Sequence, residues 1–222
     1  GPGGTSGPPL ALEGPQFRAA FDGGFVIAGR PVRLAGGPAA RDAASQLHGD
    51  TGRAVWDGAV ALAKVLEANA WLVAGRRVLE LGAGRGLVGL SAAALGAQGV
   101  VLTDLRYCLD GLRESAALNA PQAEGALEVQ ELDWARPEQF FDRRPPADAF
   151  DVVLAADVVW LLELAAPLAG ALAAALARSP AAEAIVAHQT RAANVEQAFL
   201  AAAAERGLAL AWELPGGRGP GG

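Results

Sequence analysis

The chain has 222 residues, 52% of them hydrophobic and 19% charged, and a formal net charge of −6. That length suits one domain with a full core, and the composition excludes a disordered chain. The acidic balance argues against a dedicated nucleic-acid surface, while one cysteine, Cys108, excludes an internal disulfide framework and a multi-cysteine zinc site.

With only His48 and His188, no structural metal is expected. No apolar run is long enough to span a bilayer, and the N-terminus lacks a basic-then-apolar leader. The expectation is a cytoplasmic monomer with neither nucleic acid nor membrane as partner.

Residues 1–15 are rich in glycine and proline and predict a flexible tail. A single domain is expected over 16–214. It opens with a β-hairpin over 16–35, where Phe25-Val26-Ile27 and Pro31-Val32-Arg33-Leu34 flank Ala28-Gly29-Arg30. Gly36 to Asp50 reads as a polar loop in which His48 is simply solvated. The core, 51–214, starts with Val55-Trp56-Asp57 leading into a helix with Val60, Leu62, Ala63, Leu66 and Ala70 near helical spacing.

Val78-Leu79-Glu80-Leu81-Gly82-Ala83-Gly84-Arg85-Gly86-Leu87-Val88-Gly89 follows. It reads as a buried strand, a glycine-rich turn and the start of an alanine-rich helix. Such a turn lets a ligand lie against bare backbone, and a helix start adds unpaired N–H groups and partial positive charge. Gly84 to Gly89 alone satisfies the G-x-G-x-x-G dinucleotide pattern, which is a weak signal. The acid Glu80, two residues before Gly82, suits a cationic amino group and would repel a pyrophosphate. S-adenosylmethionine (AdoMet) carries such an ammonium and no phosphate.

Further strands are expected at Gly99–Asp104, Leu127–Leu132, Phe150–Ala156, Ala182–Ala187 and Leu208–Leu214, with helices at 87–95, 109–119, 162–177 and 194–206. Strands alternating with helices predict an α/β fold: a Rossmann-like, doubly wound, mostly parallel sheet. After Leu214 only a glycine-rich stretch, 215–222, remains, so a seventh strand is not found. Ligands in such sheets bind beyond the C-terminal strand ends. Glu80, Asp104, Asp133 with Trp134, and Asp157 all fall there.

Asp104, 18 positions beyond Gly86, can accept both hydrogen bonds of a ribose diol, in AdoMet or in a dinucleotide; it can also cap the next turn. Asp133 can accept from an adenine amine and Trp134 can pack on the ring, or simply fill the core. Trp56 can donate its N–H to a ligand carboxylate or be buried packing. Asp157 can orient an incoming amine or steady its charge, or instead act as a helix N-cap. Trp160 can contact a lysine side chain by cation–π attraction.

In this order, Val55-Trp56-Asp57, Val78 to Gly89, Thr103-Asp104, Glu131-Leu132-Asp133-Trp134 and Ala156-Asp157-Val158-Val159-Trp160 are specific. From Phe17 to about Leu214 the chain resembles the seven-β-strand AdoMet-dependent methyltransferases of the family-16 group, the small non-histone protein-lysine N-methyltransferases. The resemblance implies that Trp56, Gly82, Ala83, Gly84, Asp104, Trp134 and Ala156 line an AdoMet pocket. It implies that Asp157 begins a D-x-x-Y signature near the substrate lysine, with Trp160 standing where the family usually has tyrosine.

The expected partner is therefore a protein bearing a target lysine. A small-molecule methyltransferase and an inactive AdoMet-binding module keep the same pocket. A nicotinamide-dependent oxidoreductase fits less well: short-chain forms use Tyr-x-x-x-Lys, and the only tyrosine, Tyr107, has Gly111 four residues on.

Overall fold

The computed structural model describes residues 25–36, 55–189 and 192–210. In chain order the elements are β1 (Phe25–Ile27), β2 (Arg30–Val32), α1 (Asp57–Ala68), β3 (Arg77–Leu81), α2 (Leu87–Ala94), β4 (Gly99–Asp104) and α3 (Leu109–Asn119). They continue as β5 (Ala126–Glu131), α4 (Glu138–Phe141), β6 (Val152–Ala156), α5 (Leu162–Leu176), β7 (Glu183–Ala187) and α6 (Ala193–Glu205).

The apolar runs of β3, β4 and β6 have no polar face to offer water, so they lie inside a sheet covered on both sides. Five strands form that sheet in the order β5-β4-β3-β6-β7. All of its pairings are parallel, with Val78 opposite both Val100 and Val152. The strand order reverses between β3 and β6, and the crevice beyond their C-terminal ends is where ligands bind in such sheets.

Side chains alternate across the sheet. Val78, Val100, Leu102 and Leu154 pack with α1, α2, α3 and the hairpin. Leu79, Leu81, Val153 and Ala155 pack with Phe140 and Phe141 of α4, with α5, and with Val195 of α6. Each fully buried Val or Leu contributes about 1.5–3 kcal/mol, so β3 and β6 are the anchored centre of the molecule.

The described part of the expected hairpin is an antiparallel pair, while residues 16–24 lie outside the described residues. β1 and β2 are antiparallel with Ile27 opposite Arg30, turning through Ala28 and Gly29, both at positive φ. Phe25, Ile27 and Val32 bury, and Arg30 reaches the carbonyl of Ala94 at the end of α2. The segment between β5 and β6 is held down by Arg144. Its guanidinium lies 5.4 Å from the ring centroids of both Phe140 and Phe150 and pairs with Glu128 at 3.2 Å.

Two expectations shift. Ala70 is not part of α1, because Asn69 leaves helical geometry (φ −134, ψ 54) and Ala70 to Leu72 form a separate 3-10 turn. The sixth strand is not found over Leu208 to Leu210, which carry no regular structure, and its remainder lies outside the described residues. His48 and the segments 1–15 and 215–222 lie outside them as well.

Candidate active site at the C-terminal strand ends

A cavity of about 400 Å³ opens at the C-terminal edge of the sheet, within the usual size of a small-molecule site. The residues singled out from the sequence converge on it: Trp56 from the start of α1, Glu80 in β3 and Gly82 to Gly84 after it, Asp104 at the tip of β4, Asp133 and Trp134 after β5, and Ala156 at the end of β6 with Asp157 and Trp160 after it. They span more than a hundred positions, and the parallel topology alone brings them together.

The glycine turn forms one wall. Gly82 has φ 68, and a Cβ on it would stand 2.7 Å from Val158 Cγ1 and 2.9 Å from Trp134 Cζ2. The edge of the Trp134 ring therefore rests on bare backbone, and Trp134 is half-buried as a cavity wall packed on the second core face.

The acids differ from one another. Asp104 Oδ2 accepts the Gly84 N–H at 2.7 Å and Oδ1 accepts the Leu105 N–H at 2.7 Å, which fixes the turn against β4. Burial raises its pKa; those N–H groups and the Cys108 side chain oppose the rise. The Asp133 carboxylate accepts from Arg136 and from the Ala135 N–H, and the Arg136 hydrogen bond, first among the causes, holds its pKa down.

Glu80, expected to suit a cationic amino group, lines the cavity while almost fully buried. It is the penultimate residue of β3 and only 2% exposed, and Oε2 accepts the Gly89 N–H at 2.8 Å inside the first turn of α2. Burial pushes its pKa up to about 8, with the Asp104 charge adding to the rise and the Gly89 N–H opposing it. Glu80 thus forms a protonated floor at neutral pH, not an open carboxylate.

Asp157 is buried. Oδ2 accepts the Gly58 N–H at 2.7 Å and Oδ1 accepts the Gln189 N–H at 3.1 Å. The N-cap alternative is therefore the observed local role, except that the helix capped is α1, far away in sequence. Trp160 is 40% exposed at the mouth of the cavity.

Sequence reasoning missed other lining residues: Leu105 and Tyr107 just past β4, and Glu163, Leu164 and Pro167 on the first turns of α5. The spacing of Glu163 and Pro167 on one helix face, directly after Trp160, was the available signal. Among the described residues no cluster of three His, Cys, Asp or Glu side chains is arranged to hold a metal, and no helix is long and apolar enough to cross a membrane.

A parallel sheet with this strand order, an acid-flanked glycine turn after its central strand and a cavity over the turn define a class I methyltransferase fold. A solved ribosomal protein L11 methylase from Lactobacillus delbrueckii subsp. bulgaricus shares it, with a TM-score of 0.52 over 87% of this chain and 84% of that one. At 18% identity, that likeness concerns the fold alone.

The chain belongs to the lysine methyltransferase family, whose model matches residues 42–206. It is 42% identical over 110 residues to protein N-lysine methyltransferase METTL21A of Danio rerio, covering 49% of this chain and 48% of that protein. It is 36% identical over 107 residues to EEF1A lysine methyltransferase 3 of Mus musculus, covering 48% of this chain and 43% of that protein. The chain thus spans about half the length of the curated relatives it matches.

Proposed function

We propose that this protein transfers a methyl group from AdoMet to a lysine side chain of a protein. The observation that carries the reading is the convergence of the Gly82–Gly84 turn, Asp104 and Trp134 on one cavity of about 400 Å³, in a chain of the lysine methyltransferase family. The donor set suits that cofactor. Bare backbone at the turn accommodates the amino-acid end, the Asp104 carboxylate suits a ribose diol, and the Trp134 and Trp56 indoles suit a flat base or a carboxylate. Asp133 stands beside Trp134, ready to accept from the adenine amine once Arg136 yields, and Ala83 and Ala156 leave room for the ligand.

When bound, AdoMet supplies a methyl group made electrophilic by its sulfonium. The residues of the chain position and desolvate the reactants, and need form no covalent bond themselves. Trp160, exposed at the mouth, walls the approach of a lysine side chain and stabilises its positive charge through the face of the indole. The acceptor amine must arrive neutral, and water at the open mouth can take its proton. Glu163, on the same rim, favours a cationic partner over an anionic one.

Incubation with methyl-labelled AdoMet and a cell lysate tests the proposal. Label is expected on a discrete protein band, on lysine after hydrolysis. Label confined to small molecules would instead make it a small-molecule methyltransferase. Calorimetric binding of AdoMet without transfer to any fraction would make it a binding module.

A further inference from the structure

Asp157 has a geometry that the proposed reaction leaves unexplained. It is a non-glycine residue in the left-handed region, φ 53, and only 9% exposed. That conformation is disfavoured for a side-chain-bearing residue and persists only where its surroundings hold it. Here they do. The Asp157 N–H donates to the Ala187 carbonyl at 2.9 Å, and its two carboxylate oxygens accept from Gly58 and Gln189.

Gly58 is the second residue of α1. The start of a helix presents N–H groups without partners and a partial positive charge, both suited to a carboxylate. Trp56, the N-cap residue, makes no side-chain capping bond, and Asp157 supplies one from 99 positions away. The approach is close enough that a Cβ on Gly58 would stand 2.6 Å from Asp157 Cγ and 2.8 Å from both oxygens. The two residues interlock.

Their neighbours line the cavity from opposite sides. Trp56 and Ala59 flank Gly58, while Ala156, Val158 and Trp160 flank Asp157. We propose that Asp157 is a positioning residue: it clamps the start of α1, and with it Trp56, against the end of β6, and so sets the width of the cofactor site. It does not take the proton of the lysine. Both of its oxygens are already engaged by backbone N–H groups, at 2.7 and 3.1 Å. The inference rests on reading the cavity as an AdoMet site.

Four variants test it: Gly58→Ala, Asp157→Gly, the two combined, and Asp157→Asn. Gly58→Ala alone drives a methyl into the carboxylate, so Tm falls and the AdoMet Kd rises at least tenfold by calorimetry. Asp157→Gly keeps the left-handed backbone and vacates that space, so adding Gly58→Ala to it lowers Tm no further. Asp157→Asn tolerates the backbone and keeps one acceptor. It raises the AdoMet Kd several-fold, and the pH profile of kcat keeps its wild-type shape.

Two results overturn the clamp. One is Asp157→Asn with an unchanged Kd and Tm, a hundredfold loss of kcat and a displaced pH profile. The other is an equal Tm penalty for Gly58→Ala in both backgrounds. Wild-type protein that binds no AdoMet would remove the cofactor reading, and the Tm coupling between positions 58 and 157 would still decide the clamp.

Discussion

Replacing Glu80 by glutamine is expected to abolish a steep pH dependence of stability. In the folded protein burial lifts the Glu80 pKa from 4.5 to about 8. Between those values the folded state holds a proton that the unfolded chain has released. Stability changes with pH in proportion to protons bound unfolded minus protons bound folded, which is negative here. Stability therefore falls as pH rises from about 4.5 to about 8, then levels. At about 1.4 kcal/mol for each tenfold change in proton activity, the accumulated loss is on the order of 4–5 kcal/mol.

Glutamine is neutral throughout, and its carboxamide oxygen can still accept the Gly89 N–H that Glu80 Oε2 receives at 2.8 Å. Urea unfolding of both proteins, followed by circular dichroism from pH 5.5 to 9.5, reads the difference directly. Titrations elsewhere are common to both proteins and cancel. The gap between the curves should widen by about 3 kcal/mol from pH 5.5 to pH 8, in favour of the glutamine variant. Parallel curves across the range would refute a buried, protonated Glu80. A cation bound over this floor would lower the Glu80 pKa, so AdoMet binding at pH 7 should release protons, detected by calorimetry in buffers of different ionisation enthalpy.

Gly82→Ala adds a methyl 2.7 Å from Val158 Cγ1 at a left-handed position; strain and overpacking together should cost about 2–4 kcal/mol in urea unfolding, with a shifted indole emission from Trp134. Arg144→Ala removes the guanidinium shared by Phe140 and Phe150 and its ion pair with Glu128. A loss of about 1–3 kcal/mol is expected, with AdoMet affinity unchanged because the site is remote. Trp160→Ala should raise the KM for the lysine substrate about tenfold, in line with a desolvated cation–π contact, while calorimetry shows the AdoMet Kd within twofold.

The central strands were legible because Val78 to Leu81, Gly99 to Thr103 and Val152 to Ala156 are apolar runs closed by glycine or acid. Period and punctuation are local properties. The rim was legible for a related reason: a parallel sheet sends every strand's C-terminal end to the same edge, so one acid per strand suffices to predict a ring. What each acid touches was not legible. Gly89, the Glu80 donor, lies nine positions on but across a turn whose path only the folded backbone defines, and Gly58 lies 99 positions from Asp157. Leu208–Leu210, the described start of the expected sixth strand, carry no regular structure, and a short apolar run does not by itself fix a strand. The lining roles of Tyr107 and Glu163 were not legible because they depend on where short loops place these residues.

The acids at the strand ends fall into a pattern that bears on how such a site works. Each of Glu80, Asp104 and Asp157 accepts at least one backbone N–H from a loop or helix start that itself borders the cavity. A carboxylate has about four lone-pair directions, so holding a loop does not exhaust its capacity to meet a ligand. The cost of ordering the loops is thus met during folding, before any ligand arrives. The same arrangement explains why an acid-rich pocket does not tear itself apart. Glu80 is neutral at physiological pH, while Asp104 and Asp157 face backbone dipoles. Like charges close together in a low dielectric would otherwise repel strongly. The cavity thus keeps its negative charge spread over carboxylates that also brace the surrounding loops.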